Sequence, residues 1–125
     1  MEKLRRYKSL KESNEMFKGD KYYDHLASDP IAMDEIEMFI DNDGDLYRQQ
    51  FMPIIKNIQK KIKSGRYDHN LAPKLWGYLI ENGMKKYAKE NGGRWMDLLS
   101  TKDRKVLAMK YADVYYDEIM NGNFD

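Results

Sequence analysis

Between Leu71 and Ala88 the apolar side chains recur every three or four positions, as Leu71, Ala72, Leu75, Trp76, Leu79, Ile80, Met84, Tyr87 and Ala88. An α-helix of about 3.6 residues per turn gathers such positions on one side, whereas a strand would scatter them over both of its faces. The same spacing returns in Ile31, Ala32, Ile36, Phe39 and Ile40, and again in Leu46, Phe51, Ile54, Ile55, Ile58 and Ile62. It returns a last time in Val106, Leu107, Tyr111, Val114, Tyr115 and Ile119. Strict apolar–polar alternation occurs nowhere, so the chain is expected to be all-α.

Helix boundaries follow from the residues between the stripes. Residues 3–17 read as a basic amphipathic helix stopped at Lys18-Gly19. Asp29 before Pro30 opens a second helix, with a capping side chain followed by a proline at the first helical position. Asp41-Asn42-Asp43-Gly44-Asp45 breaks it, and a third helix runs from about Asp45 to Lys63, with a kink expected at Pro53. The fourth is expected from Asp68 to about Glu90, with Gly77 and Gly83 admitting closely packed neighbours. Ser100 caps the fifth, which ends at Asn121-Gly122. Five helices and short loops predict a compact bundle, read as one domain over residues 1–125.

Several function classes drop out at this stage. The absence of cysteine removes disulfides, thiolate metal sites and a cysteine nucleophile together. No apolar run approaches the roughly 20 residues needed to span a bilayer. The opening Met1-Glu2-Lys3-Leu4-Arg5-Arg6 has no apolar segment behind its basic residues, unlike a secretory signal. The expected setting is cytoplasmic, away from the membrane.

Net charge is only +1, but it is segregated along the chain. Residues 1–23 carry +3, residues 24–50 carry −7 and residues 51–66 carry +5, while the remainder is nearly balanced. In the acidic block, Asp41, Asp43 and Gly44 suggest a calcium loop. A glycine at its sixth position would put Phe39 first and Gln50 twelfth, where carboxylates are required. Asp34, Glu37 and Asp41 share one helix face without a phosphate-cradling loop or second carboxylate motif beside them. His25 and His69 each follow an aspartate but lack metal-ligand spacing. They lie in two similar segments, Lys21-Tyr22-Tyr23-Asp24-His25-Leu26-Ala27 and Arg66-Tyr67-Asp68-His69-Asn70-Leu71-Ala72, read as one loop-to-helix solution used twice. The chain is expected not to be an enzyme, with no catalytic residue, metal or cofactor.

Three binding roles remain. In the first, an acidic face of Asp34, Glu37, Asp41, Asp43 and Asp45 steers a basic protein partner, and the aromatic anchors Trp95 and Tyr116 supply affinity. Trp95 is expected exposed in a glycine-rich loop, and one of Tyr115 and Tyr116 must face outward. On that expectation, charge reversal at Glu37 and Asp41 weakens partner binding. In the second, Lys56, Lys60, Lys63 and Arg66 follow a nucleic-acid backbone while Tyr67 stacks on a base. In the third, the acidic and basic blocks pair between copies in a homo-oligomeric assembly.

Asp43-Gly44-Asp45-Leu46-Tyr47-Arg48, Pro53, and Gly65-Arg66-Tyr67-Asp68 through Leu71-Ala72-Pro73-Lys74-Leu75 form a pattern. It continues through Tyr78-Leu79, Gly83-Met84-Lys85-Lys86-Tyr87-Ala88-Lys89-Glu90 and the closing Gly122-Asn123-Phe124-Asp125. Over residues 37 to 90 and the tail, it resembles small helical proteins of tailed bacteriophages, a group with no established activity. The resemblance implies a bacterial cytoplasm and a protein that occupies a host or phage macromolecule. It carries over no site residue.

Overall fold

The computed structural model describes residues 19–125. The helix expected over residues 3–17 lies outside them. Five helices and no strand make up the described chain, an all-α bundle. None of these helices is long and apolar enough to cross a membrane.

The first, α1, spans Gly19–Leu26, where a helix stop followed by a loop was expected. α1 packs on the last helix of the chain and gains a buried anchor there in Tyr23, 3% exposed. α2 spans Pro30–Asp41 and starts as its sequence predicts, with the Asp29 carboxylate accepting from the Ala32 N–H at 3.1 Å. α3 is one continuous run of three stretches, Gly44–Leu46, Tyr47–Phe51 and Met52–Lys63. Its middle stretch is a π-turn in which the Met52 N–H reaches back to the Tyr47 carbonyl. Pro53 has no N–H to donate and crowds the carbonyl four residues earlier, and the widened turn directly before it accommodates both defects.

α4 spans Ala72–Asn91. It begins four residues later than expected because Pro73 sits in its first turn, the interior position proline tolerates. Asp68 and His69 therefore remain in the preceding turns. A short 3₁₀ turn, Trp95–Asp97, leads to α5, Thr101–Met120, capped by Ser100 Oγ, which accepts from the Asp103 N–H at 3.1 Å.

α5 packs against each of the other four helices, most extensively α4. Eleven of its 20 residues are buried, which is why its stripe is less clean in the sequence than that of α4. At its centre Tyr111 stacks on Trp76 of α4 at 5.5 Å, and Tyr115 meets Phe51 of α3 edge-on at 4.8 Å. The tail joins them. Gly122, at φ +78°, turns the chain after α5, and Phe124 comes to 6.0 Å from Phe51.

Polar groups are buried in α5 as well. Lys110 is 1% exposed, and its ammonium donates to Glu37 of α2 at 2.7 Å. One turn further along α2, Asp41 accepts from the Tyr111 hydroxyl at 2.8 Å. Burial, and then the charges of Asp41 and Glu37, push the Tyr111 phenol well above its ordinary pKa, so it stays a donor. The buried Asp103 carboxylate accepts from the Ser28 and Asp29 N–H groups at 2.7 and 2.9 Å, tying the start of α2 to the start of α5.

The two interior glycines of α4 differ. A Cβ on Gly83 would lie 2.4 Å from Cγ1 of the buried Ile40, so α2 and α4 touch there through the missing side chain. A Cβ on Gly77 would meet nothing within 4 Å. Gly83→Ala should therefore destabilise the fold through overpacking of about 1–3 kcal/mol, which outweighs the helix gain of about 1 kcal/mol. Gly77→Ala keeps only the gain and should stabilise by about 0.5–1 kcal/mol. Urea unfolding of the two variants should move the midpoint in opposite directions. In the same assay Lys110→Met, which strands a carboxylate, should lose about 3–5 kcal/mol. Adding Glu37→Leu to Lys110→Met should restore most of that loss.

Candidate binding surfaces

The acidic block does not form the outward face expected of it. Glu37 and Asp41 point into the bundle, held by Lys110 and Tyr111. Asp43 caps α3, accepting from the Leu46 N–H at 2.9 Å, and pairs with Lys86 of α4 at 2.7 Å. Burial pushes the Asp43 carboxyl up, but the bonds from Lys86 and the Leu46 N–H outweigh it and hold the group below its usual pKa. Asp34 is half-buried. Asp45 alone stays well exposed, in a bridge to Arg48 at 2.6 Å. The face fails as a docking surface because α5 presents a cation and a phenol to the same side of α2 that carries Met33, Ile36 and Ile40.

Trp95 is likewise not a free anchor. It is half-buried against the core, with Lys85 Nζ and Arg104 Cζ lying 5.2 and 5.5 Å from its ring centroid. Its neighbours Met96 and Asp97 are the exposed side chains of that turn. Tyr115 is buried and Tyr116 only half-buried, its ring stacked on Tyr67 at 5.1 Å and 18°. Tyr67 thus already has a ring against one face, which weakens its expected role in stacking on a base.

The basic block keeps its place on the surface. Lys56, Lys60 and Lys63 sit on the side of α3 opposite the buried Ile55 and Ile58, and Arg66 follows the helix end. All four are exposed, and none forms an ion pair among the described residues.

Beside Arg66 lies a hydrogen-bonded cluster centred on Asp113 of α5, a residue nothing in the local sequence singles out. Its carboxylate accepts from the Tyr23 hydroxyl and lies 2.7 Å from His69 Nε2. His69 Nδ1 is 2.6 Å from the Tyr67 hydroxyl. In the neutral tautomer that satisfies both contacts, Nε2–H donates to Asp113 and Tyr67 donates to Nδ1. The two similar segments therefore meet at one carboxylate, although the first is helical and the second lies in turns. His25 is exposed and takes no part.

A carboxylate, an imidazole and a hydroxyl in this order are the elements of an activated nucleophile. Burial above all pushes the Tyr67 phenol up to about 12, with the charges of Asp113 and Asp68 adding to the effect, and the hydrogen bonds of the cluster join α1, the turn before α4, and α5. Among the described residues no three acids or histidines converge as a metal site. No protein-family model matches the chain, and no curated protein or solved structure matches it.

Asp117, one turn after Asp113 on α5, carries a charge that works against the fold. Burial raises the Asp117 carboxyl and the charge of Asp113, one turn before it, raises it further, while His69 lowers it. With the folded pKa above the unfolded one, the penalty is absent below the ordinary carboxylate range. It sets in as pH rises through the folded value. Asp117→Asn should raise the melting temperature at neutral pH, equivalent to about 0.2–0.5 kcal/mol, and thermal melts in acid should show no difference.

Proposed function

We propose that this protein works by holding a nucleic acid rather than by turning over a substrate, and that the exposed edge of α3 is the surface that does so. One observation carries the proposal: four cations in a row face solvent without a carboxylate partner among the described residues. The acidic block immediately before them in the chain was the obvious candidate to neutralise them. Glu37, Asp41 and Asp43 are instead engaged with Lys110, Tyr111 and Lys86. The α3 edge is accordingly more basic than the net charge of +1 suggests.

Lys56 to Lys63 spans about 10 Å along the helix at 1.5 Å per residue, close to the rise of three nucleotides in a duplex strand at about 3.4 Å each. With Tyr67 already stacked on Tyr116, recognition rests on phosphates and carries little sequence preference. The resemblance to small bacteriophage proteins would set this activity in a bacterial cytoplasm, on host or phage nucleic acid.

Fluorescence anisotropy with labelled duplex oligonucleotides of unrelated sequence tests the proposal. Binding should be similar across sequences and should weaken steeply as salt is raised. Four phosphate contacts give a slope of log affinity against log salt of about −3.6. The triple variant Lys56→Glu, Lys60→Glu, Lys63→Glu should abolish binding with the fold intact. No association at about 50 mM salt, where phosphate contacts are strong, defeats the proposal.

A further inference from the structure

A glycine inside a helix weakens it, and in α4 only one of the two interior glycines is explained by packing. Gly83 lets α2 approach. Gly77 borders open space, so internal packing does not explain why this position lacks a side chain. That space is a groove of about 410 Å³ between α4 and α5, open to solvent along one side. Pro73, Gly77, Ala108 and Met109 make its surface mainly apolar, and Met109 is 38% exposed.

Its remaining lining is charged with one sign. Lys74, Arg104 and Lys105 stand along it, and no acidic side chain lines it. The Arg104 guanidinium is held in place twice, donating to Thr101 Oγ1 at 3.0 Å and lying over Trp95. Neither Lys74 nor Lys105 forms an ion pair among the described residues.

We infer that this groove is a docking site for an acidic amphipathic helix of a partner protein, with Gly77 kept bare so that an apolar side chain of that helix can seat against α4. Apolar anchors three or four residues apart would enter the groove, while carboxylates on the flanks of the same helix would meet Lys74, Arg104 and Lys105. The volume falls in the range of formed binding clefts. A nucleic acid fits poorly, since its phosphates gain nothing from an apolar floor. A small anionic amphiphile would satisfy the cations, but it would leave most of an open trough in contact with water. The site is separate from the basic edge of α3 and does not rest on the nucleic-acid proposal.

The test uses the full chain and a fluorescein-labelled helical peptide with leucines at i, i+3, i+4 and i+7 and glutamates on both flanks, read by anisotropy. The wild type should bind it. Gly77→Leu, which fills the groove at a position with room for a side chain, should bind about ten- to a hundredfold more weakly, as expected for excluding one apolar anchor. Its melting temperature should be unchanged or higher. Lys74→Glu with Lys105→Glu should also weaken binding, with the stability of the fold reported independently by circular dichroism. The Lys56→Glu, Lys60→Glu, Lys63→Glu variant should bind the peptide like the wild type, which separates this site from the other proposal. If Gly77→Leu does not fold, Gly77→Ala replaces it and should give a smaller loss in the same direction. The inference is overturned if the wild type does not bind the peptide, or if filling Gly77 leaves affinity unchanged. Equal binding of a scrambled acidic peptide without the leucine stripe, or displacement of the peptide by an oligonucleotide or by laurate, overturns it too.

Discussion

Lys110 places an ammonium group where only 1% of its residue surface reaches solvent. An uncompensated charge there would destabilise the bundle by several kcal/mol, so a carboxylate must come to it, and Glu37 does. That requirement orients α2. With Glu37 turned toward α5, Asp41 one turn later faces the same way and receives the Tyr111 hydroxyl, while Met33, Ile36 and Ile40 fill the space around them. Ile40 in turn sits against the bare backbone of Gly83, setting how closely α4 can approach. A single polar pair thus links the placement of α2, α4 and α5.

The same pair redistributes charge over the surface. An acidic block that would otherwise offset its basic neighbour is largely turned inward or capped, and the neighbour faces water alone. The resulting asymmetry comes from how the charges are placed rather than from their number, since acids and bases are nearly equal in the chain. Gly77 shows a related separation between stability and surface. Its missing side chain weakens α4 slightly, without relieving any close contact, and leaves a groove exposed beside three cations.

The cluster at Asp113 illustrates what could not be read in advance. Tyr23, Tyr67 and His69 are spread over two segments, and Asp113 lies another 44 residues beyond His69. Their local patterns indicate helix starts and turns and say nothing of a shared partner. Only the packing of α1 and the α4 entry onto α5 brings Tyr23 and His69 to one carboxylate, with Tyr67 joined through His69. The expected anchor Trp95 failed for a comparable reason. A glycine-rich loop looks exposed in sequence, and nothing local announces that Lys85 and Arg104 will cover the ring.

Helical character, the caps at Asp29 and Ser100, the break over residues 41–45, the turns after Lys63 and Met120, and the isoleucine face of α3 were legible because each depends on residues within one or two turns of itself. Spacing of apolar groups and the stereochemistry of proline and glycine act at that range. The helix at Gly19–Leu26 was not legible because the burial of Tyr23 that supports it comes from α5 rather than from residues nearby in the chain. Which charges remain on the surface could not be settled locally at all. Glutamate and lysine look alike to their neighbours whether solvated or buried, and the choice depends on whether a distant helix brings the opposite charge.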